Sequence, residues 1–294
     1  MAGLLPATGR WELWHPWTLA ALVLLGAGYL RWVRHASRRG HVTVAAGRIA
    51  CALGGLGVLY GAIGTPLADI AVHSLFSAYM LQQVLIAFAA APLLLCGLPG
   101  GLLQPMVRRA GWTAAVSAAT RPVTATVCFH LLFGALFLPG VLDTLAAHRG
   151  AYLGAVIVLT LAAACMWWPI ASPLPDVPPL PDPGQLIYLL VNWLAILVAF
   201  GLVLFGRGLP YAAYAAARLP PGATPTLDRQ LAGAVLGVLS HAAYGVAVLT
   251  AFFRWANAES STATPLRLYR RLLAGGFNEA QAGEIAGVRP DGVP

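Results

Sequence analysis

Imidazoles and carboxylates are the side chains through which a chain most readily binds a transition metal or moves a proton, and here they fall into two sets. Asp69 and His73, Asp143 and His148, and Asp228 occupy three separate stretches, each near the end of a long apolar run. Folding those runs side by side brings the three ends to one face, where imidazole with carboxylate suits copper or zinc. The same residues also read as solvated loop groups, with Asp228 capping its own helix. Gln82, Gln83, His130, Asn192 and His241 lie inside apolar runs instead. At about 1.5 Å per helical residue, Gln82, Gln83, His130 and His241 sit near the middle of their runs and Asn192 somewhat nearer one end. Such a polar layer serves as a proton or ion path, a haem site, or hydrogen-bonding glue between helices.

The elements that must position these groups follow from composition. The 294 residues are 59% hydrophobic and 10% charged, with a mean hydropathy of +0.75, whereas a soluble domain carries about 25% charge. Disorder, collagen and coiled coil are excluded on the same ground. The chain is expected to be an all-α polytopic membrane bundle in contact with the lipid bilayer. Seven runs are long enough to cross about 30 Å of hydrocarbon, near residues 17–33, 43–63, 71–96, 122–142, 151–170, 185–206 and 230–252. They make a seven-helix domain over 1–255, followed by a polar, Arg-rich tail over 256–294 that has the makings of a short amphipathic helix on an anionic leaflet. The segment at 172–184 is proline-rich and expected to be extended.

All 18 basic residues are arginine and give a net charge of +8, which in a soluble protein would suggest nucleic acid. Placed between apolar runs they read as topology signals, and no nucleic-acid partner is expected. Assigned to alternate sides of seven spans, 13 fall on one side and 5 on the other, which puts the N-terminus outside and the C-terminus inside. Trp11, Trp14 and Trp17 before the first span, and Trp167 and Trp168 in the fifth, fit an interfacial aromatic belt. The first run is not expected to be a cleaved signal, because its arginines follow it. Cys51, Cys96, Cys128 and Cys165 stand alone within apolar stretches and read as small buried hydrophobes rather than as a disulfide framework or thiolate clip.

Four stretches in order carry a family resemblance: HSLFSAYMLQQVLIAFAAAPLLLCGLP at 73–99, FLPGVLDTLAAHRGAYLG at 137–154, MWWPIASPLP at 166–175 and TPTLDRQLAGAVLG at 224–237. Over roughly residues 60–255 the chain resembles the CtaG family of membrane assembly factors for caa-type cytochrome c oxidase. The resemblance implies a seven-helix bundle in the bacterial inner membrane that partners oxidase subunits and helps mature the copper-containing enzyme. It also implies a His-Met-x-x-His motif in span three and a second HxxxH after span four. Here those positions hold Tyr79, Met80 and Gln83, and His148 followed by Tyr152. Two imidazoles four residues apart share a helical face about 6 Å apart and converge on one ion; phenol and amide are poorer copper ligands.

The metal candidates that remain are His73, Met80, His148 and Asp228. Seven residues separate His73 from Met80, about 10 Å along a straight helix, so their convergence needs a broken helix. The expected function is assembly of cytochrome c oxidase, either assisting copper-centre maturation or scaffolding a subunit. The alternative is a small transporter or proton conductor using the His and Gln residues in mid-span. An enzyme is not expected, since the spans hold no carboxylate pair, Ser/His/Asp arrangement or HExxH motif.

Overall fold

Apolar segments in a bilayer must satisfy their own backbones, and a helix does so within one segment. The computed structural model describes residues 14–38, 43–205, 214 and 222–286, with backbone alone over 259–267. It is all-helical among these residues. Trp11, Arg10, Arg39, Arg207, Arg218 and Arg289, which enter the belt and the arginine distribution, lie outside them, as does most of the 207–221 connection.

Helices α1 (Pro16–Arg38) and α2 (Ala46–Ile63) are followed by a short α3 (Pro66–His73). Thr65 accepts from the Leu67 N–H at 3.3 Å and Pro66 sits in the first turn, a local N-terminal signal. The expected third span therefore starts later than residue 71: the chain breaks at Ser74–Leu75, and α4 (Phe76–Val84), a π-helical turn (Leu85–Ala90) and α5 (Ala91–Gly97) form one continuous crossing. Next come α6 (Gly100–Arg109), α7 (Thr113–Ala119), α8 (Pro122–Ala135), α9 (Pro139–Ala147), α10 (Arg149–Ala171), α11 (Asp182–Phe205), α12 (Pro225–Ala274) and α13 (Glu279–Ala286).

Six helices are long and apolar enough to span a membrane, and α8 with α9, bent by 70° at their junction, makes a seventh if the pair is one span. This pair covers the run expected at 122–142. Pro139 at the start of α9 has no N–H to continue α8, and the chain turns there. Helix α12 runs 50 residues without interruption, across residue 255 and into the polar tail.

The Phe76–Gly97 helix is the axis of the bundle. Of its most apolar window 61% is buried, against 17% for α1 and 22% for α11. It packs against α2 through small residues: a Cβ on Gly97 would lie 2.6 Å from the Ala52 backbone nitrogen, so only glycine permits this approach. Phe88 on the axis meets Phe129, Phe133, Trp167 and Tyr244 edge to face. Trp167 belongs to this core at 4% exposure, not to an interfacial belt; Trp14 and Trp17 are exposed as a belt requires.

Hydrogen bonds between helix termini define two ends of the bundle. At one, which we term the head end, His15 meets Asp69 and Arg149. At the other, Tyr29 donates to the Gly97 carbonyl at 2.8 Å and Arg48 to that of Leu98 at 2.7 Å, while Arg254 reaches Gln185 and Asp182. The proline-rich segment is pinned there too, its Asp176 accepting from Arg108 and Gln104. The Arg108 guanidinium, helped by Gln104, holds the Asp176 carboxyl below its usual range, and Asp176 in turn raises Arg108.

Candidate functional site

At the positions where the resemblance implies paired imidazoles, the axis helix builds a neutral network. Gln82 and Gln83 are both buried. One amide N–H of Gln82 goes to the Ala62 carbonyl and the other to the Tyr152 hydroxyl, each at 2.7 Å, while Gln83 donates to Gln82 Oε1 at 3.4 Å. Tyr79 turns the other way and gives its hydroxyl proton to the Leu136 carbonyl at 3.0 Å. A helix continuing past Pro139 would have satisfied that carbonyl; the phenol replaces the lost N–H at the break.

The π-helical turn just beyond has a similar origin. In its register Ala91 bonds five residues back to Ile86, so the next residue would serve Ala87, but that residue is Pro92 and has no N–H. The Trp167 indole supplies the missing donor, 2.9 Å from the Ala87 carbonyl. From the sequence Trp167 is expected at the membrane surface because it falls near the end of the fifth apolar run.

Asp228, offered above as a ligand or as the cap of its own helix, does not cap its own helix. Thr224 caps α12 by accepting from Leu227 at 3.1 Å. The Asp228 carboxylate instead accepts from the Phe76 N–H at 2.8 Å and the Ser77 N–H at 3.1 Å, and from the Ser77 hydroxyl at 2.5 Å. It caps the axis helix from across the bundle and places negative charge at a positive helix end. Next to it, Arg229 donates to the Val203 and Leu204 carbonyls at 2.7 and 2.9 Å, the negative end of α11.

The remaining metal candidates are not brought into one shell. The helix does break between His73 and Met80, as convergence would need, but His73 ends α3 exposed while Met80 is wholly buried in the core. His148 is exposed at the start of α10. Among the described residues no three His, Cys, Asp or Glu side chains are placed to hold a metal, so His73, His148 and Asp228 do not form a common ligand set.

A different cluster forms at the head end. His15 Nε2 lies 3.1 Å from an Asp69 oxygen, and Arg149 reaches His15 Nδ1 at 3.2 Å. Guanidinium can only donate, so Nδ1 accepts and Nε2 carries the proton toward Asp69. Asp69, His73, Arg149 and Tyr152 line a chamber of about 100 Å³ with His15. His15 was missed because the signal was indirect: it directly precedes the Pro16 that opens the first span.

The groups in mid-span are held locally. His130 Nδ1 bonds its own helix at the Thr126 carbonyl, 2.9 Å away, and Asn192 donates to the Thr126 hydroxyl at 3.2 Å and the Tyr188 carbonyl at 2.8 Å. Thr126 thus brings His130 and Asn192 together, leaving His130 Nε2 and Asn192 Oδ1 as buried acceptors with no donor. His241 bonds the Gly237 carbonyl at 2.6 Å, between the rings of Trp193 and Phe200. Among the described residues no hydrogen bond joins the Gln82 network to His130 or His241.

No curated protein and no solved structure matches the chain. The sequence profile of the cytochrome c oxidase caa3 assembly factor family (Caa3_CtaG) matches residues 27–258, from the second half of α1 into α12. With the axis helix, the bent α8–α9 pair and the Asp228 opening of α12 all inside that match, the chain belongs to the cytochrome c oxidase caa3 assembly factor family.

Proposed function

We propose that this protein holds a subunit of the oxidase in the bacterial inner membrane while the enzyme is assembled, and that it works without catalysis. One observation carries the reading: Tyr79, Gln83 and Tyr152, which stand where the family resemblance implies imidazoles, are engaged in hydrogen bonds that stabilise the bundle. A rigid axis with apolar outer faces suits a holder. Helix α11 exposes Ile187, Leu190, Leu194, Val198 and Leu202, successive positions of one helical face.

Copper delivery is the second reading, and the exposure of His73 and His148 at the head end favours it. Copper would then be cargo passed to the oxidase. Deleting the gene and measuring the amount of assembled oxidase and its copper content tests both. The holder reading expects less assembled oxidase, no rescue by added copper, and full complementation by a His73→Ala/His148→Ala double variant. Rescue by copper, or failure of a double variant that accumulates normally, would replace it with delivery. Unchanged oxidase would remove the assembly role from this chain.

A further inference from the structure

Helices α1 and α10 both contact α2 or the axis, yet barely touch each other. Between them lies a slot of about 860 Å³, walled by Leu22 and Leu25 of α1, Leu59 of α2, and Val156, Ile157 and Leu161 of α10. From His15 to Leu25, and from Arg149 to Leu161, the walls run about 15–18 Å at ~1.5 Å per residue. That is the depth of one leaflet of a hydrocarbon core about 30 Å thick. Apart from Thr160, whose hydroxyl donates to the Val156 carbonyl of its own helix at 2.7 Å, the slot is lined by apolar side chains up to its mouth, where Thr18 lies and His15 and Arg149 close it. The same two residues, with Thr18, Ile63 and Leu153, also wall the small polar chamber containing Asp69. An apolar slot and a polar chamber thus share one mouth.

The charges at that mouth select the occupant. Arg149 is exposed and forms no ion pair among the described residues, so guanidinium donors beyond the one on His15 remain for an anion. Both His15 nitrogens are occupied, which leaves no imidazole donor for a neutral carbonyl ligand such as a quinone. Asp69 has only one oxygen taken by His15, and its side chain is 29% exposed and lines the chamber. The mouth therefore offers a cation and an anion with the His15 ring between them.

We propose that this site binds one phospholipid with a primary ammonium headgroup: an acyl chain in the slot, the phosphate on Arg149, and the ammonium on Asp69. A planar guanidinium fits two phosphate oxygens, and an ammonium donates directly to the free carboxylate oxygen. A chamber of about 100 Å³ holds about three groups of water size. A trimethylammonium headgroup has no N–H to give Asp69, and a glycerol headgroup brings no positive charge to it. The lipid would bridge α1 to α10 and stiffen the least buried helix of the bundle.

The test uses the full chain in nanodiscs of equal parts palmitoyl-oleoyl phosphatidylethanolamine, phosphatidylglycerol and phosphatidylcholine, with retained lipid read by native mass spectrometry. The expected result is one retained phosphatidylethanolamine, enriched about fivefold over each other lipid, the discrimination a partly exposed ion pair supplies. Arg149→Gln should abolish retention of all three. Asp69→Asn should keep retention but bring the preference over phosphatidylcholine close to one. Ile157→Trp, on the slot wall away from the mouth, should block retention while leaving the polar cluster intact, which guards against misfolding of the mouth variants. Equal retention of the three lipids, no retained lipid, or unaltered retention in Arg149→Gln and Ile157→Trp would overturn the proposal. So would finding the slot shielded from lipid by a copurifying protein helix.

Discussion

Asp228 and Arg229 are neighbours in sequence, and each satisfies a helix end of opposite polarity on a different element. The first turn of α12 thereby locks the start of the axis helix and the end of α11 in place. Asp228 is 4% exposed, so removing it strands the buried Phe76 N–H and the half-buried N–H and hydroxyl of Ser77. Asp228→Ala should cost about 2–3 kcal/mol, the loss of a cap made by a charged acceptor. Asp228→Asn keeps one carbonyl oxygen facing the same donors and should lose about half of that. Thermal unfolding in detergent, followed by circular dichroism, measures both; equal midpoints for Asn and wild type would show that the charge contributes nothing. The sequence marks Asp228 as a costly group worth explaining, and that much is legible. Its partner is not, because Ser77 lies 151 residues away and nothing local to Asp228 points there. Asp69 is the converse case: its place among the polar groups of one face is legible, while His15, which orients it, lies in a stretch where only Pro16 marks a helix start.

At the scale of elements, the hydropathy runs reveal crossings but not their irregularities. The π-helical turn arises from Pro92, and its cost is met by Trp167 from another helix. A proline in an apolar run announces a disturbance; which side chain repairs it depends on tertiary packing. Trp167→Phe keeps most of the ring volume but removes the donor, leaving the Ala87 carbonyl buried and unpaired. The expected destabilisation is about 1–2 kcal/mol, with slowed or quickened amide exchange confined to Leu85–Ala91 if the π register relaxes; an unchanged melting midpoint would show that water or another donor takes over. The break at Ser74–Leu75 is likewise hidden, because α3 and the axis helix are both apolar and the run reads as continuous.

The link between α6 and the proline-rich segment adds a pH dependence. The folded Asp176 carboxyl titrates below its unfolded value because Arg108 and Gln104 bind the charged form. A depressed acid stabilises the folded form above its unfolded pKa, about 4, and loses that contribution as pH falls below it. Limited proteolysis of residues 172–181 should therefore be slow at pH 5 and faster at pH 3, and Arg108→Gln should make it fast at both. A rate independent of pH in the wild type would mean that this ion pair does not hold the segment.

For the whole molecule, the helix contacts bear on the seven crossings that the arginine distribution takes as given. Helix α10 begins at the head end, where Arg149 meets His15, and finishes at the opposite end, where Pro173 packs on Gly100. Arg108 lies at that opposite end, bound to Asp176. The chain must therefore travel from one end to the other between α6 and α10, and only α7, α8 and α9 are available for the passage. A re-entrant α8–α9 pair would return the chain to the side of Arg108 and leave α10 starting at the wrong end. The bent pair should accordingly count as the fourth of seven crossings, with Arg48, Arg108 and Arg254 facing the cytoplasm and Arg149 outside, as arginine retention requires. Reporter fusions decide it. A fluorescent protein fused after Gln104, Pro175 or Ala274 should fluoresce, while a phosphatase active only outside the cytoplasm should work after Ala147. Phosphatase activity after both Gln104 and Ala147, or after neither, would reduce the count to six and would force a rearrangement of the head-end contacts of α10.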